Sequence, residues 1–128
     1  MSAAYVDTSC LLAVALTERG WGEVEKRLNT FADLFASNLL EAEFRAACDR
    51  EGVPPDARLL TRMRWVLPTR PLAAEIGAVL GTGLHLRGAD TWHVACALYL
   101  AGAGAALATF LTLDQRQRAV AQRLGFEV

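Results

Sequence analysis

The sequence predicts an α/β fold in one domain spanning residues 1–128, with a central parallel sheet and helices on both faces. Three observations carry this. Short apolar runs alternate with helix-like stretches along the chain, the pattern of strand–helix–strand units. The segment at 90–101 is apolar almost all round, so it belongs in the middle of a layered structure. At 53% hydrophobic residues and a mean hydropathy of +0.23, a 128-residue chain has the material for a real core.

The elements follow in order. Residues 3–7 read as a buried strand, and 9–16 as a short helix ending near Gly20. In 21–30, Trp21, Val24 and Leu28 fall on one helical face. DLFAS, 33–37, reads as a second strand. A helix over 39–51 is stopped by Gly52 and Pro54-Pro55, and an Arg-rich helix follows over 56–64. WVLPT, 65–69, reads as a third strand, and Pro68 places it at an edge. Helices are predicted at 71–81, 90–101 and 115–124. LATFLT, 107–112, is a fourth strand, and FEV at the end offers one more. The uncharged stretch at 95–111 carries Gly102 and Gly104 in its middle. It reads as buried helix, turn and strand, not as a membrane span of ~20 strongly apolar residues.

Charge and cysteine usage narrow the classes. The net charge is −1, which is not the signature of a strongly basic nucleic-acid binder. The basic residues are all arginine except Lys26, and arginine favours two-pronged contact with phosphate or carboxylate. Cys10, Cys48 and Cys96 are far apart in sequence and sit in apolar helical patterns, which predicts buried thiols in a reducing, cytoplasmic setting. The N-terminus lacks a basic segment followed by an apolar core, so no secretory leader is expected.

Four acids stand where chemistry is expected. Sites in open α/β sheets form at the carboxyl ends of strands. Asp7 ends the first predicted strand and Asp114 follows the fourth. Each also reads as a helix N-cap worth ~1 kcal/mol, and the two roles are compatible. Glu41 reads as structural: it closes a capping-box-like pair with Asn38 and has Arg45 one turn on. Glu43 instead lies on an apolar stripe with Leu39, Leu40, Ala46 and Ala47, and has no local cation. Asp90 reads as the cap of the most apolar helix. His93, three residues on, is placed to hydrogen-bond an acid, to position a substrate, or to sit in the core against a backbone carbonyl. If the four acids converged, their repulsion, ~4 kcal/mol for a pair 4 Å apart at an effective dielectric of 20, would exceed the gain from any cap. A hard divalent cation such as Mg²⁺ or Mn²⁺ would resolve it. Thr8, Ser9 and Thr112 are near enough in sequence to orient such ligands.

These segments resemble the PIN-domain family and, within it, the VapC-like ribonuclease toxins of toxin–antitoxin modules. YVDTSCLLAVAL is similar to the family's opening strand and first acid, Asp7. SNLLEAEFRAA is similar to its second motif, with the acid six residues after the serine, which selects Glu43 over Glu41. GADTWHVACAL supplies Asp90, and FLTLDQRQRAVAQRLGFEV supplies Thr112 and Asp114. The resemblance implies a three-layer α/β/α sandwich with about five parallel strands and an acid quartet holding one or two Mg²⁺ or Mn²⁺ ions. It further implies endonucleolytic cleavage of RNA, a homodimer, and inhibition by a cognate VapB-like antitoxin. Gln115, Arg116 and Gln117 stand where some members carry an additional acid, and Thr91-Trp92 replace smaller residues. Arg116 and Arg118 are the candidate RNA-backbone contacts, with Arg58, Arg62 and Arg64 a second group. Neutralising four of the 14 acids would leave the 13 basic residues in excess, which favours a polyanion. Residues 39–64 read as a helical pair suited to an antitoxin or dimer surface. The alternative is a PIN fold that binds RNA or a partner without cleaving. A receiver domain would need an acid at Thr69, and a haloacid-dehalogenase-type phosphatase one at Ser9.

Overall fold

The computed structural model describes residues 2–128. Four parallel strands form one sheet: β1 (Ala3–Val6), β2 (Asp33–Ser37), β3 (Met63–Val66) and β4 (Thr109–Leu111), in the order β3-β2-β1-β4. Between them run α1 (Thr8–Ala15), α2 (Trp21–Leu28), α3 (Leu39–Arg50), α4 (Ala57–Thr61), α5 (Ala73–Leu80) and α6 (Gly88–Gly102), with α7 (Gln115–Arg123) after β4. About five strands were expected. The fifth shrinks to one parallel bridge, Thr109 with Glu127, closed by two backbone hydrogen bonds of 2.8 Å.

Period-two alternation sorts each strand's side chains between two cores. Ala4, Val6, Leu34, Ala36, Met63 and Leu111 pack with Leu11, Leu40 and Phe44 of α1 and α3. Tyr5, Val66 and Phe110 pack on the other face with Val94, Ala97 and Val120 of α6 and α7. Tyr5 and Phe110 stack at 5.2 Å where β1 and β4 pair. The chain therefore steps outward from β1 to β2 to β3 with helices on one face. It then crosses back to β4, on the far side of β1, with helices on the other. Right-handed crossovers require this change of face when the direction of travel reverses.

Several local expectations are corrected. The third strand starts at Met63 and ends at Val66, so Arg64 lies on a strand and not on the preceding helix. Pro68 has no N–H to give to a ladder, and pairing ends at Val66 before it; the strand is an edge as expected. Trp21 is 40% exposed, leaving Leu28 and half-buried Val24 to seat α2. No side chain of Asn38 caps α3; the Ser37 hydroxyl takes the Leu39 N–H at 3.1 Å, while Glu41 pairs with Arg45 at 2.9 Å. The stretch at 95–111 forms the end of α6, a turn and β4, and no described helix is long and apolar enough to cross a membrane. All three cysteines are free and buried. Burial pushes the Cys10 and Cys96 thiols up to about 12, so they are poor nucleophiles.

Phe110 is fully buried between Tyr5 and Phe126. Phe110→Ala should cost about 3–5 kcal/mol of unfolding free energy, read by urea denaturation, because the two neighbouring rings cannot close the void.

Candidate functional site

Reversal of the chain around β1 creates a switch point between β1 and β4, and open α/β sheets form crevices there at the carboxyl rim. Asp7 follows β1 directly, and its N–H bonds Leu111 O at 2.9 Å, extending the β1–β4 pairing by one residue. Asp114 lies just beyond β4. Glu43 arrives from α3 and Asp90 from α6. All four line one open depression of about 460 Å³, together with Thr8, Ser9 and Arg50.

Their environments differ. Asp7 is 5% exposed and caps α1: its Oδ2 accepts the Ser9 N–H at 3.1 Å. Asp114 is exposed and caps α7 with Oδ1, which accepts the N–H groups of Arg116 and Gln117 at 2.8 and 3.0 Å. Asp90 is not the cap that the sequence suggested. Arg87 holds that position, and Asp90 sits in the first turn of α6 with no hydrogen bond to its carboxylate from the described residues. Partial burial, then repulsion from Asp7, Asp114 and Glu43, raises the Asp90 carboxyl above its ordinary range.

Glu43 has polar company that the apolar stripe did not announce. Thr8 donates to its Oε1 at 2.8 Å, and His93 Nε2 meets the same oxygen at 2.7 Å. Burial raises this carboxyl, but the hydrogen bonds from His93 and Thr8 outweigh it and hold it below the usual range. The other face of the imidazole explains why. His93 is fully buried, and its Nδ1 lies 2.8 Å from the Tyr5 hydroxyl, which accepts the Ser37 N–H at 2.9 Å. The Tyr5 hydroxyl and Glu43 thus hold the imidazole at both nitrogens, and the 2.7 Å contact to a carboxylate oxygen, which only accepts, aims an Nε2 hydrogen at Glu43. Of the roles open to His93 in the sequence, the structure assigns the bond to an acid, and that acid is Glu43, not Asp90.

A second network ties the remaining pieces. The Thr112 hydroxyl stands 2.6 Å from Gln117 Oε1 and 3.4 Å from Asp7 Oδ2; its single proton goes to the shorter contact. It also accepts the Asp114 N–H at 3.0 Å, and Ser9 Oγ accepts the Leu113 N–H at 3.0 Å. Gln117, completely buried, reaches on to the Asp90 carbonyl at 3.3 Å. Sequence reasoning gave no role to Tyr5 or to the side chains of Ser37 and Gln117. Tyr5 did carry a signal, as the one side chain with a polar tip in a buried strand.

The arginines separate. Arg116 lines a cleft that shares Asp90 and Asp114 with the acid depression. Arg118 turns elsewhere: it donates to the Thr112 carbonyl at 3.1 Å and lines a pocket with Leu28 and Val128 that touches none of the four acids. Arg58 and Arg64 pair with Asp56 and Asp33, and Arg62 with Asn29.

Among the described residues, no three acid, imidazole or thiol side chains stand close enough to form a ready metal-binding group. The donor chemistry nonetheless suits a hard cation. Asp7, Glu43 and Asp114 each engage one carboxylate oxygen in hydrogen bonds and leave the other without one, and Asp90 leaves both. No carboxylate oxygen among the described residues is both buried and unpartnered.

The family model of the PIN domain matches residues 4–123, and the chain belongs to the PIN-domain family, whose members are generally nucleases. No curated protein and no solved structure matches the chain closely enough to narrow that assignment.

A carboxyl held below its ordinary range stabilises the fold above that range and stops doing so as pH falls through the lowered value. In chelator, Glu43→Gln should therefore be less stable than the parent at pH 7, by an amount that solvent screening of this partly exposed group keeps small. The deficit relative to the parent should shrink as pH falls below the carboxylate range. Chemical denaturation at a series of pH values reads both.

Proposed function

We propose that this chain is a metal-dependent endoribonuclease of the VapC-like toxin type, working as a single domain, with Asp7, Glu43, Asp90 and Asp114 holding one or two Mg²⁺ or Mn²⁺ ions. The observation that carries the reading is electrostatic. Four carboxylates from four separate segments line one rim depression, and three of them raise the proton affinity of the fourth. Caps explain Asp7 and Asp114 but not that gathering.

When bound, such a cation supplies charge neutralisation at the scissile phosphate and a more acidic water as nucleophile. The chain's own residues do the rest. Thr8 and His93 fix Glu43 in one orientation, and Tyr5 fixes His93. Ser9 and Thr112 orient Asp7 and the backbone of Asp114. Arg116 stands at the rim to meet backbone phosphate. Exposed Trp65 and Leu67, at and just beyond the open β3 edge, offer apolar surface for a second copy, and the antitoxin remains the proposed inhibitor. Three buried free thiols suit a reducing compartment such as the cytoplasm. The non-catalytic reading, a binder of RNA or a partner, draws on the spread of the four acids, which form no ready metal group.

A total RNA pool tests these against each other. Cleavage should appear with Mg²⁺ or Mn²⁺, vanish in chelator, and fall about 10²–10³-fold in Asp90→Asn, the scale of losing one preorganised charge-stabilising group. Divalent cation should also raise the melting temperature of the parent more than that of Asp90→Asn. Fragments that survive in the variant would remove Asp90 from the site. A folded parent that binds RNA without cutting it would establish the binding module.

A further inference from the structure

The acid depression is one end of a longer track. Through Asp90 and Asp114 it adjoins a polar cleft of about 500 Å³ that is also lined by His85, Arg87 and Arg116. Through His85 and Arg116 that cleft adjoins a third depression of about 440 Å³, walled by Gly83, Leu84 and Ala119. Acidic, basic and apolar surfaces thus follow one another in a continuous path.

Arginine pairing makes the middle of the path unusual. Across the protein, guanidinium groups are committed: to Glu41, Glu51, Asp56, Asp33 and Glu75, to Asn29, to the carbonyls of Thr112 and Thr82, or to the Phe31 ring. Arg19 aside, Arg87 and Arg116 alone among the described residues have no such partner, and both line this cleft. They stay uncommitted although Asp90 and Asp114 share it, so their charge is available to a ligand. Beside them α6 starts without a side-chain cap, and among the described residues the amides of Gly88 and Ala89 have no hydrogen-bond partner. Two unpaired guanidinium groups and an open fifteen-residue helix N-terminus suit a phosphate.

We propose that this track binds the single-stranded RNA immediately flanking the cleavage point. One backbone phosphate lies between Arg87 and Arg116, and the next base lies on His85 over the apolar floor formed with Leu84 and Ala119. This rests on the ribonuclease reading of the acids. A single strand is favoured because Asp7, at 5% exposure, is recessed, and a flexible strand reaches a recessed acid more readily than a stiff duplex does.

Binding is measured by fluorescence anisotropy with a labelled twelve-nucleotide single-stranded RNA in Mg²⁺, using Asp90→Asn as the parent so that the probe stays intact. Adding Arg87→Ala and Arg116→Ala should weaken binding about tenfold and flatten the salt dependence by about 0.7 for each phosphate no longer neutralised. Adding His85→Ala alone should weaken binding about fivefold and leave the salt slope unchanged, as expected for a stacking interaction. The same charge removed elsewhere, by Arg19→Ala with Lys26→Ala, should leave both within twofold. All these side chains are exposed, so the variants should keep the parent's melting temperature. Equal binding by the Arg87/Arg116 double variant, or an equal loss in the Arg19/Lys26 control, would overturn the track and leave the acid centre untouched. No binding by the parent, together with no cleavage of total RNA by the native protein, would overturn the ribonuclease reading and the track with it.

Discussion

The placement of β1 between β2 and β4 is the constraint on which the molecule depends. Parallel pairing on both sides brings the carboxyl ends of three strands to one rim, and right-handed crossovers force α1–α4 and α5–α7 onto opposite faces. Asp7 and Asp114 then face each other across the seam where the chain reverses. Glu43 descends from the helix layer on one face and Asp90 from the layer on the other. A strand order without that reversal would leave no crevice between β1 and its neighbour for the four to share.

Gathering like charges costs energy, and the protein distributes the cost unevenly. Asp7 and Asp114 recover part of it as helix caps, each worth ~1 kcal/mol. Glu43 recovers part through hydrogen bonds from Thr8 and His93. Asp90 has no such compensation beyond its place at a helix N-terminus, and it is the carboxylate whose proton affinity rises. The acid whose proton affinity rises is thus also the one whose carboxylate has no local hydrogen-bond partner among the described residues.

Much of this was legible in the sequence because it depends on local pattern. The apolar runs AAYVD and DLFAS marked strands that the structure reproduces, and the position of Glu43 on an apolar stripe singled it out from Glu41, which pairs with Arg45 on the surface. What failed was either a boundary or a contact across the fold. The third strand slid by two residues because MRWV and WVLPT share Trp65 and Val66 and neither alternates cleanly, so only pairing to β2 chooses between them. His93 could not be assigned its acid, since Glu43 is 50 residues away and the two meet only after α3 and α6 pack. Arg118 looked equivalent to Arg116 at a spacing of two, yet two residues on a helix turn through about 200° and face different surroundings.

Gln117 carries a consequence for how this site can vary. Its carbonyl oxygen accepts from the Thr112 hydroxyl and its amide nitrogen donates to the Asp90 backbone, so one planar group spans β4 and α6 from a position on α7. An ionised glutamate there would accept but not donate, and a lysine would donate but not accept. Leucine would fill the volume and leave the hydroxyl of Thr112 and the carbonyl of Asp90 facing a surface that answers neither. At this one buried position of α7 the choice of side chain reduces to a carboxamide, and the relative placement of two acids is written into it.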